Sequence, residues 1–280
     1  MSDIRLIALD LDGTLLNSEK RLSIRTRKAL ECASSKGVHI VPTTGRFYGL
    51  LPECVRALEF VRYAITINGA EVYDSKTRTV VARAEIPVET AIGVMQRLLK
   101  YDVIFDCYRF GWGWITKAFQ DKAKLYAPDG HYLDMILNYR HEKDDLIAHL
   151  EATKSEGNVQ KVMMFTRTDD HSDLKKAVRD EIIGEYPSLI ATDSVWNNLE
   201  FNIATANKGE AVKKLAESLG FSMDNVMAFG DGMNDYSMVR DAAIGVAMGN
   251  SMSGLKNVAK IIAPTNDEDG VAEVIERCVL

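Results

Sequence analysis

Cysteine is scarce: four in 280 residues (Cys32, Cys54, Cys107 and Cys278), with no C-x-x-C pair. That excludes a disulfide-stapled scaffold and a thiolate metal centre, and it fits reduced thiols in a cytoplasmic protein. The five histidines are dispersed, so no imidazole cluster offers a zinc site either. No apolar stretch reaches the length that crosses a bilayer, and the opening "MSDIRLIALD" lacks separate charged, apolar and cleavage regions. A soluble, cytoplasmic chain with no membrane partner is expected. Neither sign of charge dominates: 34 Lys and Arg against 40 Asp and Glu leave −6, which lacks the basic excess of a nucleic-acid binder. Low-complexity tracts and internal repeats are missing as well.

What the chain does have is alternation. "IRLIAL" reads as a strand buried on both faces, followed by a helix capped by Ser23 and stopped by Gly37, then "VHIVP" as a second strand. A helical stretch over 47–58 and the strands "YAITI" and "AEVYD" follow. From about residue 85 the rhythm gives way to mixed helical and extended segments, and it resumes with "LEFNIA" and "NKGEAVKKLAESLG". The expectation is an α/β fold: a doubly wound, Rossmann-like parallel-sheet core from 1–84 and 197–280, with an α+β domain inserted at 85–196.

Ligands of such sheets bind beyond the carboxyl ends of the strands. Four polar clusters fall there: "DLDGT", "TTGR", "NKGE" and "GDGMND". In an extended chain Asp10 and Asp12, two apart, point to one side, and their like charges call for a shared cation or a shared proton. A hairpin tip is the competing reading of Asp-Gly between apolar residues. Asp231 and Asp235 form a second acidic pair, for which a turn rich in helix caps is the alternative. Several carboxylates meeting beside glycines suit Mg²⁺. Thr43, Thr44, Gly45 and Arg46 offer hydroxyls and a cation, and Lys208 opens a helix, where a cation opposes the macrodipole. For Arg46 a structural ion pair competes with ligand contact. Together these groups suit phosphoryl transfer, with Asp10 as nucleophile and Asp12 as general acid and then base.

"DLDGTLLN", "TTGR", "INGAEVYD", "NKGEAV", "GDGMND", "AMGN" and "NDEDGVAEVI", in that order, resemble the haloacid dehalogenase superfamily, in its Cof-type phosphatase branch with a type IIB cap. The resemblance implies an aspartyl nucleophile at Asp10, an acid/base at Asp12, phosphate binding by Thr44, Lys208 and Asn234, and Mg²⁺ held by Asp10, the backbone carbonyl of Asp12, and Asp231. Asp235, Gly45, Arg46, Asn68 and Gly69 would support the site. Thr43 departs from the smaller residue common in the family. The implied activity is a Mg²⁺-dependent phosphomonoesterase for small phosphorylated metabolites, sugar phosphates first, with the insertion as a cap that reads the leaving group.

Substrate signals lie in that insertion. Phe110, Trp112 and Trp114 alternate, which would set them on one strand face to stack on a sugar or flat ring, or to pack the sheet. Asp129 and His131 flank an expected turn. Alternatives are a cofactor-phosphate phosphatase (FMN or pyridoxal phosphate) and a phosphomutase. A non-catalytic binding module would be expected to have lost Asp10, Asp12, Lys208 or Asp231, and all four are present. No signature of oligomeric state is visible.

Overall fold

A computed structural model describes residues 3–127, 130–170 and 172–280. The chain divides into two compact units, Met1–Arg83 with Thr205–Leu280, and Ala84–Ala204.

The first unit is built on a parallel sheet in the spatial order Ile261–Ile262, Ile244–Ala247, Val226–Gly230, Leu6–Leu9, His39–Pro42. Leu6 pairs with Val226 on one side and His39 on the other. The run "LIAL" is wholly buried because both of its faces are covered. Ile7 and Leu9 join Met227, Phe229 and Val246 under the helices Ile24–Ser35 and Gly270–Cys278. Leu6 and Ala8 join Val41, Val226 and Ala228 under Lys208–Ser218 and Tyr236–Asp241. The period of two along each strand therefore supplies two separate cores. Ser23 caps the first helix, its hydroxyl accepting from the Thr26 N–H at 3.0 Å, and Gly37 stands at φ 85 just beyond its end. Chain order runs outward from Leu6–Leu9 to His39–Pro42 on one flank and from Val226–Gly230 to Ile261–Ile262 on the other. The topological switch point thus lies between Leu6–Leu9 and Val226–Gly230.

Two expectations need correction. The helix over 47–58 is broken into a single turn at Tyr48–Leu50 and a short helix at Glu53–Arg56. Leu51 between them is extended (φ −63, ψ 135), as the residue before Pro52 must be to avoid the pyrrolidine ring. The second domain boundary also moves, from 197 to Thr205. Strand Asn198–Ile203 pairs antiparallel with Lys161–Thr166 in the inserted unit, Phe201 opposite Val162. Its buried apolar pattern suits a central strand of either sheet, so sequence alone misassigned it.

The inserted unit is a six-stranded sheet in the order Leu189–Thr192, Asn198–Ile203, Lys161–Thr166, Val103–Arg109, Trp112–Thr116, Arg140–Lys143. One face carries Phe105, Cys107, Val162, Met164 and Leu199 against helices including Val88–Leu98 and Leu174–Glu185. The other holds buried ion pairs, Arg140 to Asp106 at 2.8 Å and Lys161 to Glu200 at 3.0 Å. Phe110 and Gly111 form a two-residue hairpin turn, both at positive φ (56 and 74), so Phe110 leaves the strand face that the alternation assigned it. Trp112 and Trp114 do share a side, both rings lying against His141 at 5.3 and 4.9 Å. Asp129 lies outside the described residues, and His131 falls in the helix Gly130–Asn138. Among the described residues no helix is long and apolar enough to cross a membrane.

Candidate active site

Asp10 and Asp231 each follow directly on a strand that flanks the switch point, Leu6–Leu9 and Val226–Gly230. Adjacent parallel strands bring them to one rim although the sequence separates them widely. Asp235 comes from the turn that follows Asp231. A carboxylate oxygen from each of the three lies within 4.8 Å of the others. Asp235 is held by the backbone, its Oδ2 accepting from the N–H groups of Asp231 (2.9 Å) and Gly232 (3.0 Å). Asp231 accepts from the Thr14 hydroxyl at 2.8 Å.

Lys208 enters this cluster from the helix Lys208–Ser218. Its side chain is fully buried, and its ammonium donates to Asp10 Oδ1 at 2.5 Å and Asp235 Oδ1 at 2.6 Å. The exposed-lysine alternative is thereby excluded, and the two carboxylates offset the cost of a cation at a helix start. Asn207 caps the same helix, accepting from the Glu210 N–H at 2.9 Å. Burial, with Asp235 and Asp231 alongside, pushes Asp10 up to about 8 despite Lys208. Burial and Asp235 push Asp231 up to about 6. Asp10 and Asp235 hold Lys208 firmly protonated, overcoming its burial. One ammonium thus faces three carboxylates, an excess of negative charge on hard oxygen donors that fits a bound divalent cation. Close approach is built in: Gly13 sits at φ 85, and a Cβ there would stand 2.5 Å from Asp231 Oδ2.

Asp12 is not among the carboxylates that lie within 4.8 Å of one another, although it stands close enough to Asp231 to raise that group's pKa. The strand ends at Leu9, so the alternation of side chains no longer applies beyond it. The Asp12 carboxylate instead accepts two bonds from Arg46, Nε at 3.0 Å and Nη2 at 2.9 Å, and one from Lys20 at 2.9 Å. Burial would raise its pKa, but Arg46 and Lys20 outweigh that and lower it. The ion-pair reading of Arg46 holds in this structure.

The remaining sequence candidates form the wall beside this pair. Thr44 N–H donates to the Ile65 carbonyl, Ile67 N–H to that of Arg46 and Asn68 N–H to that of Thr44, each at 2.9 Å. These bonds lock "TTGR" onto "ING", where Ile67, Asn68 and Gly69 all have positive φ (53, 56 and 96). For β-branched Ile67 that conformation is strained. A Cβ on Gly69 would collide with the Asn207 carbonyl oxygen, and one on Gly45 would meet Asn68 Oδ1 at 3.0 Å. Asn234 Nδ2 donates to Asn68 Oδ1 at 3.4 Å. Thr43 is buried and turns its hydroxyl back to the Val41 carbonyl, 3.1 Å away. Sequence reasoning gave no role to Lys20 or Asn250, whose Nδ2 donates to the Gly13 carbonyl at 2.8 Å. Asn250 carried a signal, its place in "AMGN"; Lys20 carried none.

A family model described as haloacid dehalogenase-like hydrolase matches residues 7–275. The 5-amino-6-(5-phospho-D-ribitylamino)uracil phosphatase YcsE of Bacillus subtilis is 35% identical over 278 residues, covering 99% of this chain and 97% of its own length. The pyridoxal phosphate phosphatase YbhA of Escherichia coli is 31% identical over 280 residues, 97% of each chain. A crystal structure of a haloacid dehalogenase-like hydrolase from Bacteroides thetaiotaomicron matches with a TM-score of 0.80 at 27% identity, covering 98% of this chain and 99% of that one.

Proposed function

The chain belongs to the haloacid dehalogenase-like hydrolases, and from that premise we propose that it is a phosphomonoesterase for small phosphorylated metabolites, working through a phosphoryl group carried on Asp10. The observation that carries this reading is the Asp10 carboxylate at the switch point, held 2.5 Å from a buried Lys208 and beside Asp231 and Asp235.

Asp10 attacks phosphorus; its new O–P bond forms as the P–O bond to the leaving group breaks. Asp12 gives the leaving oxygen a proton. Arg46 and Lys20 keep Asp12 ionised in the free protein, so it takes up that proton first, and a phosphate monoester with a second pKa of about 6 can bring it. Water then attacks the phosphoryl-Asp10, Asp12 accepts the water's proton, and inorganic phosphate departs with Asp10 restored. Lys208 stays beside Asp10 and balances the charge on the transferring group. Thr44 and Asn234 bind phosphate oxygens, with Gly45, Asn68 and Gly69 shaping the wall around them. Asp10 and Asp231, with the Asp12 carbonyl and Asp235 in support, would hold Mg²⁺, which when bound supplies charge neutralisation for the phosphate.

The named activities of YcsE and YbhA favour phosphate esters such as 5-amino-6-(5-phospho-D-ribitylamino)uracil and pyridoxal phosphate as substrates, and sugar phosphates remain candidates beside them. The test is inorganic phosphate release from a panel of sugar phosphates, FMN, pyridoxal phosphate and 5-amino-6-(5-phospho-D-ribitylamino)uracil. Turnover is expected with Mg²⁺, and none with EDTA or in Asp10→Asn. Wild-type rates in Asp10→Asn would refute the nucleophile. An isomer accumulating without free phosphate would make the enzyme a mutase.

A further inference from the structure

The loop after the first strand is constructed more tightly than a connection requires. Asn17 N–H donates to the Arg21 carbonyl at 3.0 Å and Lys20 N–H to the Asn17 carbonyl at 2.8 Å. The Asn17 side-chain oxygen accepts from the N–H groups of Glu19 (3.1 Å) and Arg21 (2.8 Å). Lys20 itself stands at φ 60, a conformation that costs a lysine energy. Two distant segments brace this loop. Ser18 donates its N–H (2.8 Å) and hydroxyl (2.7 Å) to Asp267. Asn266 Nδ2 donates to the Leu16 carbonyl at 2.9 Å, and Asn266 N–H to Asn250 Oδ1 at 3.1 Å. These braces come from "AMGN" and "NDEDG", motifs that the phosphoryl-transfer chemistry leaves without a task. The turn delivers Lys20 Nζ to Asp12 Oδ1 at 2.9 Å, on the carboxylate that Arg46 already grips with two nitrogens.

We propose that Lys20 is a positioning residue which, with Arg46, fixes the Asp12 carboxyl group in the orientation that transfers the leaving group's proton, and that Asn250, Asn266 and Asp267 brace it for that purpose. The proposal rests on the phosphatase reading above. An unbraced surface lysine–carboxylate pair fixes little, because both side chains remain free to turn. Here the lysine's backbone is held in a strained turn and the carboxylate is already gripped on one side. A third contact then removes the rotation left to it. As the P–O bond breaks, its electron pair stays on the leaving oxygen. An alkoxide needs the proton from Asp12 at that moment, whereas a nitrophenolate is stable without it.

The choice of leaving group therefore reads Lys20 directly. kcat/KM is measured for p-nitrophenyl phosphate and for the fastest alkyl phosphate of the panel, in wild type, Lys20→Ala, Lys20→Arg and Asp267→Ala. In Lys20→Ala the alkyl ester is expected to lose about tenfold while the aryl ester stays within about twofold. Lys20→Arg should regain most of the alkyl rate, and Asp267→Ala should shift the same ratio less. Equal losses on both esters, no loss, or an arginine variant as poor as alanine would overturn the assignment. If wild type hydrolyses both esters and the ratio does not move, only the role of Lys20 falls. If wild type hydrolyses neither, the phosphatase reading falls and takes this one with it.

Discussion

Asp10→Asn tests the electrostatics of the site without any substrate. In the metal-free protein, burial and the neighbouring Asp235 and Asp231 raise the Asp10 carboxyl from 3.8 to about 8, against the pull of Lys208. A carboxyl that binds its proton more tightly when folded adds stability that is complete below pH 3.8 and drains away as pH rises through about 8. The rise caps the cost of an ionised Asp10 at about 6 kcal/mol. Lys208 loses a counter-ion in the variant, and repulsion is spread over three carboxylates, so the net gain at pH 8 should be about 1–3 kcal/mol. At pH 4 Asp10 is protonated when folded and close to its midpoint when unfolded, so the gain should fall well below about 1 kcal/mol. Thermal melting in EDTA at both pH values reads this as a variant melting roughly 2–8 °C above wild type at pH 8 and nearly level with it at pH 4. Taking the difference between the two proteins cancels the titrating groups remote from Asp10. Adding Mg²⁺ should then raise the wild type more than the variant, since stabilisation by a bound ion grows with the logarithm of its concentration over Kd and the variant lacks the Asp10 carboxylate. A variant that melts no higher at pH 8, or equally higher at both pH values, would refute the reasoning.

Gly13→Ala places a Cβ in a left-handed position 2.5 Å from Asp231 Oδ2, so the carboxylate must move. Phosphate release at saturating Mg²⁺ should drop at least about tenfold, with a stability cost of about 1–2 kcal/mol. In the inserted unit, Arg140→Met strands the buried Asp106 without its cation and should cost about 3–5 kcal/mol in urea unfolding. Adding Asp106→Leu should recover most of that; a single variant as stable as wild type would refute it.

The site was legible where chemistry and topology both leave marks on the chain. Acidic clusters at the ends of apolar runs, with glycines beside them, announce a rim, and the doubly wound alternation says that separate rims coincide. Lys208 announced itself by opening a helix where a lysine is electrostatically wrong, and its two carboxylates explain the anomaly. Asp12 stays out of the tight cluster because the period-two rule stops with the strand at Leu9, and the Asp-Gly turn signal in "DLDGT" places that end no earlier than Asp12. The boundary at Thr205 was hidden for a related reason. "LEFNI" is apolar and β-forming enough for the centre of either sheet, and only pairing with Lys161–Thr166, a long-range choice, settles it. Lys20 was invisible because its role depends on a left-handed backbone and on hydrogen bonds from residues some 230–250 positions away. Local pattern therefore reveals groups that must be present for the chemistry, while the groups that aim them are revealed only by the fold. That is why the residues braced through Asn250 and Asp267 are where substitution should alter leaving-group preference without abolishing turnover.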